Sequence, residues 1–200
     1  LGEIMLRLST PDYKRFVQAD SFDVTYGGGE ANVAAALCNY GLNGTFVTKV
    51  PNNPIGQSAI NHLRRYGVDT QFIARGGERL GIYFLETGAS MRASQVVYDR
   101  AGASIADVNP EEFDWDKILA GADWFHTTGI TPALSDKAAA LTEAALKAQA
   151  PNNAHNHTGT TIRLDMETTD PILASGILCS IIIPTKYQSG HTELHQTTTK

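Results

Sequence analysis

The sequence predicts an α/β domain, a mostly parallel sheet covered by helices, with a small β unit set into it. Three observations carry that expectation. Short apolar stretches alternate with stretches of helical period as far as Gly67, and glycines stand at Gly41 and Gly67, where the helices should stop. Between Arg79 and Ala103 the apolar period shortens to that of paired strands. Two hundred residues with 42% hydrophobic content suffice to close one substantial core.

Leu1 to Leu8 reads as a first strand, and Phe16 to Tyr26 as a second extended region. Gly27, Gly28 and Gly29 interrupt side-chain packing, and a helix is expected over Asn32 to Tyr40, with Val33, Ala36, Leu37 and Tyr40 at helical spacing. A strand over Thr45 to Val50 and a helix over Ile55 to Tyr66 follow. Ile82 and Phe84, then Val96 and Tyr98, predict two strands joined by the turn-rich ETGASMRAS, a hairpin suited to a lid or an oligomer contact. Trp115 to Leu119 reads as a short helix, Ala122 to Thr127 as a strand, and Asp136 to Ala150 as an alanine-rich helix with an acidic first turn. PNNAHNHTG is expected to be a polar linker, Thr160 to Leu164 and Ile177 to Ile183 strands, and His191 to Lys200 a frayed end.

Composition narrows the function classes. A formal charge of -5, from 16 Lys and Arg against 21 Asp and Glu, supplies no broad basic field, so neither nucleic acid nor an anionic membrane is an expected partner. Cys38 and Cys179 do not form a CxxC pair and read as reduced, partly buried thiols. No basic start followed by an apolar run opens the chain, and no window reaches transmembrane length, which makes a cytoplasmic location the expectation. Leu1 already stands inside the first expected strand, so further residues are expected before it.

The glycine run lets the backbone approach a ligand, and the first amides of the following helix can donate to oxygen atoms. It matches neither GxGxxG nor a GxxxxGKS/T phosphate loop. Read by itself it is equally a helix entry turn, with Asn32 either bonding a hydroxyl or holding the turn. The histidines His155, His157, His191 and His195 have spacings that could gather a metal ion, yet they stand in polar linker and tail sequence without a nearby cysteine. Solvent exposure is the expectation, and no metal ligand is assigned.

Three stretches in order, GGGEANVAAALCNYG with Gly44 and Gly56, LGIYFLETGASMRASQVVYDRAGAS, and FHTTGITPALS, resemble the ribokinase (PfkB) carbohydrate-kinase family. The last two are similar to its 2-keto-3-deoxygluconate kinase branch, and the resemblance covers roughly Leu1 to Ala150. It implies a ribokinase-like three-layer α/β/α core with a small β-sheet lid. Residues 1–190 would form an incomplete domain of that type, with lid strands about 12–26 and 79–103, and 191–200 a polar tail. The implied activity is phosphorylation of a sugar acid on its terminal hydroxyl, with ATP and Mg2+ as cofactors and a homodimer through the lid.

For the substrate, the resemblance implies a backbone contact at Gly28, a polar contact from Asn32, pocket positions at Tyr83 and Tyr98, and a carboxylate partner in Arg100. A guanidinium offers a carboxylate a rigid two-toothed fork, and tyrosines add flat surfaces with a hydroxyl at the tip. Arg100 could instead pair with Asp99 or Asp107, and the tyrosines could be ordinary hairpin packing.

The second half departs from the family pattern. In LDMETTD, Asp165 fits the family's first position, but Glu167 and Thr169 stand where an asparagine and a substrate-binding arginine belong. In IIIPTKYQ, Thr185 and Gln188 replace the asparagine and glutamate expected near magnesium and phosphate, and no GAGD-like turn with its catalytic aspartate precedes Lys200. No catalytic residue or nucleotide-binding residue is therefore assigned. Asp165 and Asp170 are poor substitutes for the base, because neither has a glycine-rich partner. A non-catalytic sugar-acid binding or association module, and a related sugar or nucleoside kinase, are the alternatives.

Overall fold

The computed structural model describes residues 1–153, 160–161 and 182–183. In chain order the elements are β1 (Met5–Ser9), β2 (Asp23–Gly27), α1 (Gly29–Asn39), β3 (Thr48–Val50), α2 (Pro54–Arg65), β4 (Ile73–Arg75), β5 (Ile82–Glu86), β6 (Gln95–Asp99), α3 (Trp115–Leu119), α4 (Asp136–Asn153), and the two-residue strands β7 (Thr160–Thr161) and β8 (Ile182–Ile183). Short 3-10 turns lie at Phe16–Gln18, Ser104–Asp107, Pro110–Glu112 and Pro132–Leu134.

Strand β1 sits inside a four-stranded sheet of order β2-β1-β5-β6. It runs antiparallel to β2 and parallel to β5, and β6 returns antiparallel onto β5. β3 and β4 form a separate parallel pair, and β7 and β8 an antiparallel one. The expected mostly parallel sheet is thus a mixed arrangement. Its parallel pairings, β1 with β5 and β3 with β4, join strands separated by intervening helix, and β6 pairs antiparallel with the strand just before it in the chain.

Before β1, Leu1 to Ile4 continues the chain as an extended core segment. The Gly2 amide donates to Val47 O at 3.2 Å, the Leu1 nitrogen donates to His126 O at 2.8 Å, and on the far side the Phe46 amide donates to Asp69 O at 2.9 Å. Successive residues of extended chain face opposite ways, and here they feed two different cores. Ile4, Phe46 and Val50 pack with Ala31, Ala34, Ala59, Ile60 and Leu63 of α1 and α2. Leu1 and Val47 pack with Trp115, Leu119, Leu141 and Ala145 of α3 and α4. Helices cover both faces of the extended layer, which is the three-layer α/β/α arrangement.

Local signals explain where the helices begin and end. Asn53 caps α2 by accepting the Gly56 amide at 2.9 Å, Pro54 fills the first turn, and Gly67 ends it at φ +78°. In α4 the fully buried Ala138, Leu141 and Ala145 recur at helical spacing. The buried Lys49 reaches Glu112 at 2.7 Å and Asp107 O at 3.1 Å, tying β3 to the turns before α3.

Several sequence expectations need correction. The first strand starts at Met5, and Phe16–Gln18 is a 3-10 turn, so only Asp23–Gly27 of the second extended region is strand. α1 starts at Gly29 rather than Asn32 and buries Glu30, Ala31 and Ala34, while Val33 and Tyr40 are exposed. Ala122 to Thr127 is no strand; it is an irregular segment beside Leu1. α4 runs on to Asn153, into the stretch read as linker. Of the last two expected strands, residues 160–161 and 182–183 are strand, and the remaining positions lie outside the described residues. So do the four linker and tail histidines, Asp165, Glu167, Thr169, Asp170, Thr185 and Gln188.

Candidate functional site

Strand register gathers the candidate residues on one face of the four-stranded sheet. Thr25, Arg7, Tyr83 and Tyr98 stand directly opposite one another across β2, β1, β5 and β6. Residues opposed in this way point to the same face. The Tyr83 and Tyr98 ring centroids are 6.0 Å apart, and Arg7 Nε donates to Thr25 Oγ1 at 2.7 Å. Next toward the core, Met5 stands opposite Gly27, and Gly81 sits between Met5 and Arg100. A Cβ on Gly81 would lie 3.3 Å from Met5 Cγ, 3.3 Å from Arg100 Cβ and 2.4 Å from Glu3 Oε1. Glycine at 27 and 81 therefore lets the Tyr83 hydroxyl, Glu3, Met5 and Arg100 close in where a side chain would otherwise stand.

A Cβ on Gly28 would lie 2.0 Å from Glu3 O, so the glycine turn rests on the backbone that leads into β1 and has no room for a side chain. A Cβ on Gly27 would lie 2.9 Å from the Tyr83 hydroxyl and 3.9 Å from Asn32 Oδ1, which places both polar groups beside the turn. Asn32 is exposed, and its amide bonds Gly28 O at 2.8 Å as the first full turn of α1. The other glycines of this stretch serve packing. A Cβ on Gly44 would lie 2.7 Å from Ala34 O, and one on Gly56 2.1 Å from Pro51 O.

Arg100 lies two residues beyond Tyr98, on the same face, with its guanidinium carbon 5.7 Å from the Tyr98 ring centroid. Its Nη2 donates to Glu3 Oε2. The expected alternative partners are engaged elsewhere: Asp99, on the opposite face, pairs with Arg79 at 2.8 Å, and Asp107 pairs with Lys137 at 2.5 Å. Arg100 retains 24% side-chain exposure against 4% for Glu3, so the ion pair has a buried acid end and a partly exposed basic end. Burial raises the Glu3 carboxyl above its ordinary pKa, Arg100 opposes that shift, and Glu30 adds to it.

Glu30, in the first turn of α1, is a second buried carboxylate. Its Oε1 accepts from Thr128 Oγ1 at 2.5 Å and Thr131 Oγ1 at 3.0 Å, linking the glycine turn to the segment before α4. A different recess, lined by Arg15, Phe16, Val17, Glu86, Arg92 and Gln95, lies at the turn end of the β5–β6 hairpin, the opposite end from Arg100. Glu86 there pairs with Arg92 and accepts the Phe16 amide at 2.8 Å, a structural arrangement that orders the 3-10 turn.

The structure thus places Tyr83, Tyr98 and Arg100 on one face, with the Gly27–Gly28 turn and Asn32 beside the Tyr83 hydroxyl. Sequence reasoning missed Glu3, Arg7 and Gly81. The alternation in Glu3, Met5, Arg7 was a usable signal that these side chains share a face. Among the described residues no cluster of His, Cys, Asp or Glu could hold a metal ion, and no helix is long and apolar enough to cross a membrane.

The pfkB family carbohydrate kinase profile matches residues 1–187. The chain belongs to that family. A 2-dehydro-3-deoxygalactonokinase of Haloferax volcanii is 38% identical over 135 residues, covering 68% of this chain and 42% of its own length. A 2-dehydro-3-deoxygluconokinase of Thermoproteus tenax is 32% identical over 142 residues, covering 69% of this chain and 43% of its own. Among solved structures, the 2-dehydro-3-deoxygluconokinase of Thermotoga maritima superposes with a TM-score of 0.75 at 60% identity, over 76% of this chain and 47% of that one. The chain spans about half the length of the relatives it matches.

Proposed function

We propose that this protein phosphorylates a sugar acid, 2-keto-3-deoxygluconate, on its terminal hydroxyl, and that the described residues are the sugar side of the cleft. The observation that carries this reading is the partly exposed Arg100 beside paired tyrosines and a glycine turn. The relatives named for closely similar sugar acids support it. Arg100 takes the carboxylate, Tyr83 and Tyr98 flank the carbon chain, and Asn32 with the Gly28 turn bonds hydroxyls. Anchoring the acid end fixes which hydroxyl lies farthest from Arg100, so these side chains work by orientation, and the sheet above them acts as a lid that excludes water.

ATP and Mg2+ supply the phosphoryl group and neutralise its charge in such a reaction. The described residues offer no set of ligands for the metal, so none is assigned to it and no step is routed through it. A non-catalytic sugar-acid binding module is the second reading, favoured by the placement of all the assigned contacts on the sugar side. We place the protein in the cytoplasm. We also read the exposed Val24 and Val97, which the strand register puts on one face of the lid, as a surface for a second copy of the chain.

Transfer of labelled phosphate from ATP tests the activity. Label should enter 2-keto-3-deoxygluconate and leave fructose largely unlabelled. Preferential labelling of neutral sugars, or of no member of a sugar-acid panel, would overturn the kinase assignment.

A further inference from the structure

We propose that Glu3 is an internal competitor of the substrate carboxylate for Arg100, and so sets how strongly the cleft prefers acids to neutral sugars. The inference rests on the reading above in which Arg100 receives the sugar acid. Glu3 is 3% exposed, its Oε2 holds Arg100 Nη2, and its Oε1 is buried without a hydrogen-bond partner among the described residues. A buried carboxylate with one oxygen unsatisfied is a poor stabilising device, because desolvation offsets the attraction to its partner. As a competing ligand it has a clear role. A guanidinium carries five donors and can serve two carboxylates at once, and Arg100 Nε is also buried without a partner. A substrate carboxylate arriving at the exposed part of Arg100 therefore meets a cation already paired with a carboxylate, and the two acids repel each other across it.

The charged groups facing Glu3 are Arg100 at the end of β6 and Glu30 on α1, with Arg7 farther along its own strand; Gly81 and the Gly28 turn add no charge. Glu30 makes a second negative charge at Glu3 more costly, and so does a bound acid. Binding an acid should therefore favour protonated Glu3, and acid affinity should rise as the pH falls toward the raised pKa of this carboxyl.

Calorimetric titration of the unmodified protein and of Glu3→Gln with 2-keto-3-deoxygluconate and with fructose tests the inference. The glutamine keeps the shape and can turn its oxygen to Arg100 while losing the charge. Its acid affinity should rise about tenfold, with fructose binding unchanged. The unmodified protein should bind the acid more tightly as pH falls, and the variant should lose that dependence. If Glu3→Gln does not fold by circular dichroism, the pH series on the unmodified protein carries the test: a rise supports the competition, and flat affinity overturns it. Unchanged or weaker acid binding by a folded variant, or an equal change for both sugars, removes the inference and leaves the sugar-acid reading standing. No acid binding by either protein overturns both.

Discussion

Arg100→Ala should weaken a sugar acid about ten- to a hundredfold, the loss expected for a charge-assisted contact, and leave a neutral sugar almost unaffected. The same change strands Glu3. Removing one partner of a buried pair leaves an uncompensated charge, which for a pair with one end partly exposed should cost about 3 kcal/mol of stability. The pH dependence follows from the raised Glu3 pKa, a shift that burial causes and Arg100 restrains. Without Arg100 the carboxyl is pushed higher still. A group whose folded pKa lies above its unfolded value favours the fold when protonated and loses that contribution as pH rises through the folded pKa. The variant should therefore be most destabilised near neutral pH and regain stability in mild acid. Thermal unfolding at a series of pH values checks the sign, and a constant or growing deficit toward acid would contradict it. An equal loss of affinity for 2-keto-3-deoxygluconate and fructose would remove Arg100 as the carboxylate contact.

Gly28→Ala should be comparably severe for a different reason. Its Cβ would lie 2.0 Å from Glu3 O, against backbone that cannot turn aside as a flexible side chain would. Relief requires the glycine turn and the Leu1 to Ile4 segment to separate, an overpacking expected to cost about 3 kcal/mol. That segment carries Glu3, so the displacement should reach Arg100 and weaken sugar acids even in the fraction that folds. Gly29→Ala is the matched control, because a Cβ there meets nothing within 4 Å. Denaturant unfolding of the two variants should differ by most of that cost, and equal midpoints would contradict the close-approach argument.

Much of this arrangement was legible in the sequence. Trp115 to Leu119 matches α3, Gly67 ends α2 as expected, and the hairpin between Arg79 and Ala103 contains β5 and β6. Each rests on a local signal: apolar spacing, a glycine stop or a turn-rich connection. β4, at Ile73–Arg75, was missed because so short a strand carries no usable period; its identity depends on pairing with β3. Ala122 to Thr127 has the apolar character of a strand, but whether such a segment forms a ladder is decided by its neighbours.

The same limit applies to the site. Gly28, Asn32, Tyr83, Tyr98 and Arg100 belong to motifs, so they could be named. The partner of Arg100 could not, since the expected acids, Asp99 and Asp107, were chosen for nearness in sequence. Strand alternation sends Asp99 to the opposite face, and the fold brings Glu3, 97 residues earlier in the chain, to Arg100.

A crystal structure of the protein with 2-keto-3-deoxygluconate bound tests the central claim most directly. The sugar should lie between the Gly28 turn and the Tyr83–Tyr98 pair, with its carboxylate on Arg100 and its terminal hydroxyl directed away from that residue. Density for the sugar in the recess beside Arg15 and Arg92, or a carboxylate held away from Arg100, would contradict it.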